Sequence, residues 1–409
     1  MPEERRPVLS VEEARARILD TVHALEPERV GLLEAGGRVL AEAVAADRDI
    51  PPLTNSAMDG YAVRGADVAD AREGAPIRLR VVGEVAAAHV SPVQVEPGTA
   101  VRIMTGAPVP AGADTVVRFE DTQSDGNWVE VHKPYSPGKN VRQAGEDVCA
   151  GQVVLEPGKV LRPQEVGMLA AVGRVEVAVV RRPRVAILAT GDEVVPLSEI
   201  PGPGQIRDAN SYAVAAQVQS FGGIPLLLGV ARDREALVRR GMRDALAQEA
   251  DFIITSGGVS VGDFDLVKQV LAAEGEMHFW SLNMKPGRPL AFGVVGGVPL
   301  LGLPGNPVAA TISTDLFARP ALLKMQGFTA WSWPTVRARL CEPIRRKDSR
   351  RHYLRVRLRQ TEAGYEATLT GGQGSGILNS LVQADGLAII PEDVDHLHAG
   401  TEVEVIVLD

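Results

Sequence analysis

The sequence is short of cysteine, of aromatic residues and of basic charge. It contains two cysteines and 4% aromatic residues, and its formal net charge is -9 over 409 residues. An acidic chain of this kind lacks the basic face that nucleic acids and anionic membranes require. We therefore expect no nucleic-acid partner and no membrane partner, although one local basic pocket for a small anion remains compatible with this charge.

The cysteines and the apolar runs exclude further classes. Cys149 and Cys341 lie far apart and form no CxxC pair, so we expect neither a zinc site nor a disulfide framework. The longest apolar runs, such as IPLLLGVA at 224–231, are too short to cross a bilayer. The first residues, MPEERRPVLS, are charged and carry no apolar secretory core, which predicts a cytoplasmic protein.

Two nucleotide-binding motifs are also missing. Neither Gly138-Lys139 nor Gly158-Lys159 is followed by Ser or Thr, as a Walker motif requires. No GxGxxG stands between a strand and a helix, so a Rossmann dinucleotide site is not expected.

What the sequence does contain is a change of pattern along its length. A capping box at 10–13 precedes an amphipathic helix, and residues 36–44 have a helical pattern. Short alternating runs from about 75 to 160 predict a β-rich module. From residue 184 strands alternate with helices, which is typical of a mainly parallel sheet covered on both faces, and only strands follow residue 334. Asn210 and Asp233 are expected to cap two of these helices, and further helices are predicted from residue 263 and from 306–307 to about 325.

These patterns predict an α/β multidomain fold, and the length is enough for two to four domains. The central domain is expected to have three layers around a mostly parallel sheet. An inserted β-rich module, an N-terminal helical and linker region and a C-terminal β-barrel-like domain accompany it. The predicted boundaries are a helical/linker domain at 1–50 plus 145–180, a β-rich domain at 51–144, an α/β domain at 181–328 and a C-terminal β domain at 329–409.

Three polar loops follow strands of the predicted parallel sheet, at the edge where open α/β sheets bind ligands. They lie at 190–193, 255–265 and 303–307. The second and third lead into helices, whose N-termini present free N–H groups, so both predict anion binding. For each loop alone a tight turn is the alternative. The basic turns at 284–289 and 349–352 add cations, and each could equally be a solvated turn.

A stretch between prolines and a strand, PPLTNSAMDGYA at 51–62, carries more kinds of polar side chain than a linker needs. As a loop it could carry Asp59 into the cleft of another domain or of another subunit.

Several motifs occur together in one order: PPLTNSAMDGYAVR, RIMTGAPVPAGADTVV, GEDV, TGDE, TSGGVSVGDFD, MKPGRP and GLPGNPVA. With them the chain resembles the molybdopterin molybdenumtransferase family, which comprises bacterial MoeA and the C-terminal domain of eukaryotic gephyrin. The SGG and LPGNP motifs also occur in the related molybdopterin adenylyltransferase, whereas NSAMDGYA is more specific. The resemblance covers nearly the whole chain.

The resemblance implies a homodimer and an active-site cleft that draws on both subunits. It implies that the α/β domain binds molybdopterin, and that molybdate is joined to the dithiolene of adenylylated molybdopterin with release of AMP. Carried over residue by residue, it implies the catalytic residues Asp59, Thr105, Asp147, Glu193 and Asp265. Asp233 and Asp265 are the expected ligands of Mg²⁺. The implied substrate-binding residues are Ser256, Gly257, Gly258, Ser260, Lys285, Arg288, Pro304, Gly305, Asn306, Pro307, Arg350 and Ser375.

Our hypothesis divides the work of holding two anions. Backbone N–H groups of 256–260 and of the helix start at 305–308 hold phosphate, and carboxylates bind Mg²⁺. Lys285, Arg288 and Arg350 hold molybdate. The chain departs from the family pattern at Leu53-Thr54, at Arg288, where Lys is more usual, and at His352, where an acid is frequent.

Two other functions stay open at this point. One is the preceding adenylyltransferase step, which ATP consumption with molybdopterin would reveal. The other is a non-enzymatic, gephyrin-like scaffold, which peptide binding without turnover would favour. Molybdopterin adenylyltransferase and molybdoenzyme apoproteins are possible partners.

Overall fold

The computed structural model describes residues 8–86, 89, 92–258, 275–346 and 348–408, with the backbone alone for 275–280. The chain forms two compact units. Arg29–Ala178 makes the β-rich unit, and Met1–Glu28 with Val179–Asp409 makes the α/β unit. Each is described by itself below.

The α/β unit begins with a strand and a helix, β1 (Val8–Leu9) and α1 (Val11–Thr21). The predicted capping box is present: Glu13 N–H donates to Ser10 Oγ at 3.1 Å, and Ser10 N–H donates to the Glu13 carboxylate at 2.8 Å. These bonds satisfy donors that a helix start leaves free. The helix therefore begins where the sequence predicts it.

In its described residues, the β-rich unit is built from short strands and a few short helices. Its elements, including two strands that cross its boundaries, are β2 (Pro27–Gly31), α2 (Leu32–Ala35), β3 (Val44–Ala45), β4 (Asn55–Ser56), β5 (Gly60–Val63), α3 (Gly65–Val68), β6 (Ile77–Val85), β7 (Thr99–Ile103), β8 (Thr115–Arg118), β9 (Thr122–Ser124), β10 (Trp128–Val131), β11 (Val141–Arg142), β12 (Val153–Leu155), α4 (Pro163–Ala171) and β13 (Glu176–Val180). Six of them form a sheet in the order β8-β5-β7-β6-β10-β9. Alternate residues of these strands are buried in its core, as their period of two requires.

The helix predicted at 36–44 is wrong. Helix α2 ends at Ala35, and Gly37 takes a φ of +77°, which continues no helix. Val39 pairs with Val160, and Leu40 N–H donates to the Lys159 carbonyl at 2.9 Å. The apolar spacing is therefore satisfied by pairing with a distant segment.

The central part of the α/β unit alternates strands and helices. Its elements are β14 (Arg184–Thr190), β15 (Val194–Val195), β16 (Ile206–Arg207), α5 (Asn210–Ser220), β17 (Ile224–Ala231), α6 (Glu235–Ala247), β18 (Phe252–Ser256), β19 (Gly275–Leu282), β20 (Met284–Lys285), β21 (Pro289–Val295), β22 (Val298–Leu303), α7 (Pro307–Ser313) and α8 (Arg319–Met325). A π-helical segment, Thr314–Ala318, joins α7 to α8, so the helix predicted from 306–307 to 325 is continuous but not regular. The helix predicted after residue 262 lies outside the described residues.

The large sheet has the order β1-β19-β21-β22-β18-β14-β17. Strands β17, β14, β18 and β22 are parallel, so their carboxyl ends meet at one edge. The strands β14 and β18 are buried almost along their whole length, which explains their unbroken apolar runs. Strand β21 runs antiparallel to both of its neighbours.

The C-terminal part of this unit is a closed barrel. Its elements are β23 (Thr335–Leu340), β24 (Ile344–Arg345), β25 (Arg351–Thr361), β26 (Gly364–Leu369), α9 (Leu378–Val382), β27 (Gly386–Ile390), β28 (His396–Leu397) and β29 (Glu402–Val407). The sheet runs β25-β26-β23-β29-β27, and β27 pairs back onto β25. The predicted fold class is confirmed, while the four domain boundaries stay predictions. Within the described part of the chain, no helix combines the length and apolarity that a membrane crossing needs.

Candidate active site

Three of the predicted loops meet at one edge of the large sheet. We call the last residue of each of β14, β18 and β22 together with the residues that follow it, namely 190–193, 256–258 and 303–307, the loop edge. The register places Ala189 beside Ser256 and Ser256 beside Leu303. Gly257 N–H donates to the Leu303 carbonyl at 3.1 Å, which joins two of the loops directly.

Gly257 shows why the glycines are needed there. Its φ is +92°, and a Cβ on it would lie 2.5 Å from the Thr190 carbonyl oxygen. Gly258 follows with a φ of +66°. Side chains with a Cβ are disfavoured in this left-handed region, so the backbone turns here only because both residues are glycine.

Asn210 ties the same loops together, although sequence reasoning gave it another task. Helix α5 begins at Asn210, and the cap bond comes from Asp208, whose Oδ1 accepts from Ser211 N–H at 3.0 Å. The interpretation of Asn210 as the N-cap is therefore wrong. Its side-chain nitrogen donates instead to Ser256 Oγ and to the Gly305 carbonyl, both at 2.8 Å.

A small cavity of about 80 Å³ lies beside these groups. Thr190, Glu193, Asn210, Ser256 and Pro307 are among the residues that line it. Of the predicted site residues, the structure thus brings Glu193, Ser256, Gly305 and Pro307 to one cavity.

The helix start after Asn306 offers fewer donors than predicted. Asn306 is the N-cap residue without a side-chain cap bond, and Pro307 has no N–H. Val308 N–H donates to the Ser375 carbonyl at 3.1 Å, so it is not free for a phosphate. The same bond brings the predicted residue Ser375, from the C-terminal barrel, to the loop edge. Pro304 lies in this loop directly after β22.

Carboxylates gather next to the loop edge. Asp233 follows β17, and its backbone N–H donates to Asp192 Oδ1 at 3.2 Å. Partial burial raises the pKa of Asp233, and repulsion from the carboxylates of Asp192 and Glu193 raises it further. Helix α6 has Arg234 as its N-cap residue and begins at Glu235, so the interpretation of Asp233 as its cap is wrong.

These acids have the hard oxygen donors that Mg²⁺ prefers. Among the described residues, however, no group of three or more His, Cys, Asp or Glu could hold a metal ion. Asp265, the other predicted ligand, and Ser260 lie outside the described residues. The acids present fit a magnesium site by chemical type, as part of a ligand set.

A second cluster lies where β20 pairs with β25. We call Lys285, Asp348, Arg350 and His352 the charged turn; the register places Lys285 beside His352. Asp348 accepts from Arg350 Nη2 at 2.7 Å and from Lys285 Nζ at 3.4 Å, and it lies 2.8 Å from His352 Nε2. The predicted cations Lys285 and Arg350 therefore share one carboxylate, which sequence reasoning missed.

These contacts shift two pKa values. The hydrogen bond from Arg350 holds the pKa of Asp348 well below its usual range, with a further contribution from His352. Burial lowers the pKa of His352, and the positive charges of Lys285 and Arg346 add to that effect although Asp348 opposes it. Arg288 stands apart, because its Nε donates to Ser281 Oγ at 3.0 Å.

Arg355 is a second residue that sequence reasoning missed. It is 1% exposed, and it donates to the carbonyls of Gly374 at 3.0 Å and Gly372 at 3.4 Å, and to Ser380 Oγ at 3.1 Å. Burial lowers its pKa to about 10. It thus fixes the glycine-rich segment that carries Ser375. The sequence does not mark Arg355, because β25 carries arginines at 351, 355, 357 and 359 and their order does not show which one is buried.

Two of the predicted catalytic residues meet in the β-rich unit. Asp59 Oδ1 accepts from the backbone N–H of Thr105 at 2.6 Å and from its hydroxyl at 2.7 Å. The N–H bond and then the hydroxyl bond lower the pKa of Asp59. The third, Asp147, is exposed, and its own N–H donates to the Ile50 carbonyl at 3.0 Å.

Comparisons with known proteins cover nearly all of the chain. Three family models match: "MoeA N-terminal region (domain I and II)" at 9–173, "Probable molybdopterin binding domain" at 186–324 and "MoeA C-terminal region (domain IV)" at 337–408. The molybdopterin molybdenumtransferase of Nostoc sp. is 38% identical, over 98% of this chain and 94% of that protein. Molybdopterin molybdenumtransferase 2 of Mycobacterium tuberculosis is 37% identical, over 97% and 98%.

A solved structure agrees with the sequence relatives. The molybdopterin biosynthesis MoeA protein from Pyrococcus horikoshii superimposes with a TM-score of 0.82 at 35% identity, over 98% of this chain and 100% of that one. The fold and these relatives define a transferase of molybdenum cofactor biosynthesis. The chain belongs to the molybdopterin molybdenumtransferase family, which confirms the predicted resemblance.

Proposed function

We propose that this enzyme transfers molybdate onto the dithiolene of adenylylated molybdopterin and releases AMP. Insertion of molybdenum follows from its family. The observation that supports the finer statement is that one unit contains two different regions suited to anions, the loop edge and the charged turn, and that the barrel residue Ser375 is bonded to Val308, directly after the loop edge. A reaction that joins two anionic reactants requires two such regions.

The loop edge would bind the phosphate groups of the substrate. Gly257 and Gly258 turn the backbone after β18, and Asn210 fixes Ser256 against Gly305. Backbone N–H groups in such turns are suited to anions because they carry partial positive charge without a bulky side chain. This supports the predicted roles of Ser256 and Gly258. The N–H of Gly257 is bonded to the Leu303 carbonyl, so Gly257 contributes its backbone turn, and residues 305–308 supply fewer donors than the sequence suggests.

The charged turn would hold molybdate. Lys285 and Arg350 supply fixed positive charge, and Asp348 neutralises part of it before any anion binds. Arg288 has one nitrogen bonded to Ser281 and retains further guanidinium donors. A divalent oxyanion binds well to such a group of cations through charge-assisted hydrogen bonds.

Magnesium would be held by Asp233 together with Asp265, which lies outside the described residues; Asp192 and Glu193 act on Asp233 through their charges. When bound, Mg²⁺ neutralises charge on phosphate oxygens and so favours the departure of AMP. The pKa of Asp233 is raised first by burial and then by repulsion from Asp192 and Glu193, and a bound cation would offset both, which supports this assignment.

The proposal is tested by molybdate-dependent release of AMP from adenylylated molybdopterin in the presence of Mg²⁺. We expect Asp59→Asn and Asp265→Asn to reduce that rate strongly. Asp70→Asn, at an exposed position of the β-rich unit, is the matched control and should leave the rate unchanged. If both test variants keep the wild-type rate, the assignment is wrong. ATP consumption with molybdopterin would instead indicate the adenylyltransferase step.

We also propose that the enzyme is a homodimer, on the basis of the family alone. Light scattering after size exclusion tests this, and a monomer at micromolar concentration would contradict it. The cytoplasmic location and the protein partners stay predictions.

A further inference from the structure

The side chain of Asn210 makes two hydrogen bonds from one atom. Its Nδ2 lies 2.8 Å from Ser256 Oγ and 2.8 Å from the Gly305 carbonyl oxygen. A carbonyl oxygen can only accept, so the atom that faces it must be the amide nitrogen and not the amide oxygen. The Gly305 carbonyl therefore fixes the orientation of the Asn210 amide.

The orientation of the amide determines the role of the Ser256 hydroxyl. An amide nitrogen has two hydrogens and accepts none, so Ser256 Oγ must accept the second of them. The hydroxyl hydrogen of Ser256 must then point elsewhere. Within the described ranges the hydroxyl has no bond other than the one from Asn210, and Ser256 is 4% exposed.

A cavity beside Ser256 provides space for an acceptor of that hydrogen. Ser256 lines the cavity of about 80 Å³ together with Thr190, Gly305 and Pro307. Thr190 Oγ1 donates to the backbone carbonyl of Ser256 at 3.4 Å, so it does not compete for the hydroxyl hydrogen. The hydroxyl belongs to a buried residue at the edge where open α/β sheets generally bind ligands.

We propose that Asn210 is a positioning residue that keeps the Ser256 hydroxyl as a donor, and that this hydroxyl donates to a phosphate oxygen of the substrate. This rests on the proposed function, because it takes the adenylylated substrate as the ligand of the loop edge. Asn210 cannot accept a proton, so it does not activate Ser256 as a nucleophile. The hydroxyl binds and orients the phosphate, and no bond to Ser256 forms.

A double-mutant cycle tests the coupling between the two side chains. Asn210→Asp has nearly the same shape, but its carboxylate accepts and would draw the Ser256 hydrogen away from the substrate. We expect Asn210→Asp to raise the KM for adenylylated molybdopterin roughly tenfold more in the wild-type background than in Ser256→Ala, a coupling of about 1.4 kcal/mol. In the Ser256→Ala background the hydroxyl is absent, so there the change in KM caused by Asn210→Asp reports only the added charge and the lost bond to the Gly305 carbonyl. Equal effects in both backgrounds would overturn the proposal.

The control separates positioning from stability. Gln217 lies on the same helix, and its amide donates to the Thr311 carbonyl at 3.1 Å. We expect Gln217→Ala to lower the Tm and to leave the KM for both substrates unchanged. Asn210→Asp should change the KM for the adenylylated substrate and not that for molybdate. An equal rise in both KM values would contradict a role at the phosphate.

A third measurement distinguishes failure of this inference from failure of the proposed function. Equilibrium binding of AMP to the folded variants repeats the cycle without turnover. If the wild-type protein releases no AMP from the substrate but the AMP cycle shows coupling, the proposed reaction fails and the role of Asn210 stands. If AMP is released and both cycles are additive, the role of Asn210 fails alone.

Discussion

The loop edge and the charged turn both belong to the α/β unit, but the interactions that maintain each region differ. The loop edge depends on steric fit and on neutral hydrogen bonds, since a Cβ on Gly257 would clash and Asn210 bridges uncharged acceptors. The charged turn depends on charge, since Asp348 is bonded to Arg350 and Lys285. The stability of the loop edge should therefore depend on side-chain volume, and that of the charged turn on pH and salt concentration.

This difference fits the ligands that the two regions are proposed to bind. Phosphates in a backbone turn need a fixed shape that excludes side chains. A free oxyanion that enters and leaves is better held by cations whose charge is partly balanced when the site is empty, because unbalanced like charges repel. The following changes test the difference, from the largest expected effect to the smallest.

Gly257→Ala should be the most damaging. The new Cβ would meet the Thr190 carbonyl at 2.5 Å while the backbone has a φ of +92°. We expect the free energy of unfolding to fall by roughly 3 kcal/mol and AMP release to fall by roughly a hundredfold. Denaturant unfolding and the rate assay measure the two effects.

Gly297→Ala is the matched control for that variant. Gly297 has a φ of +84° with nothing within 4 Å of a Cβ, so it carries the backbone strain without the clash. We expect the free energy of unfolding to fall by about 1 kcal/mol in this variant. If both variants lose the same amount, steric fit at the loop edge is not the decisive factor.

Asp348→Asn should have a moderate effect that depends on salt. It leaves Arg350 and Lys285 without their shared carboxylate. We expect the free energy of unfolding to fall by only about 1 kcal/mol, because the Arg350–Asp348 ion pair is partly exposed. The loss should shrink at ~1 M salt, where charges are screened within about 3 Å. The cost of Gly257→Ala should not change with salt, and a parallel change would remove the distinction.

The contribution of His352 to the pH dependence of the unfolding free energy should be smaller than the effect of Asp348→Asn. Its pKa is lowered in the folded protein, so below about pH 6.5 the unfolded chain binds a proton more readily than the folded chain does. The stability that the neutral His352 side chain contributes is therefore fully present above that pH, and it is lost as the pH falls towards the pKa of His352 in the folded protein. His352→Gln should flatten the fall in unfolding free energy below about pH 6.5. An unchanged slope would show that His352 does not contribute.

Thr190→Val should have the smallest effect. It has nearly the same volume and removes one long bond of 3.4 Å to the Ser256 carbonyl. We expect a loss of at most about 1 kcal/mol and an unchanged KM. A loss comparable to that of Gly257→Ala would mean that hydrogen bonds, and not steric fit, maintain the loop edge.

Local patterns predicted much of the fold. The capping box at Ser10 and the buried strands β14 and β18 follow from spacing within a few residues. The prediction that only strands follow residue 334 is wrong in one place, because the helix α9 lies among the barrel strands. The glycines at 257 and 258 were also recognisable, because a turn after a buried strand needs them. The helix predicted at 36–44 failed because its apolar residues are paired across more than one hundred positions, as Val39 with Val160 is.

The candidate site was predictable by residue type and only partly by contact. Asp208 and Asn210 are both good caps, and their order in the sequence does not say which one takes that task. The structure gives the cap bond to Asp208 and leaves Asn210 to join two loops. Asp348 and Arg355 were missed because each acts through groups that the fold places beside it.

The sequence by itself determined the family, the alternation of strands and helices and the residues that must be glycine, since each of these is written in short motifs or in backbone conformation. The tertiary structure alone decided which side chains meet. It placed Ser375 on the helix start at Val308, Asp348 between two cations and Asn210 between Ser256 and Gly305. Hydrogen bonds and ion pairs act over a few ångströms, and only the folded sheet and barrel bring residues so distant in the chain within that range.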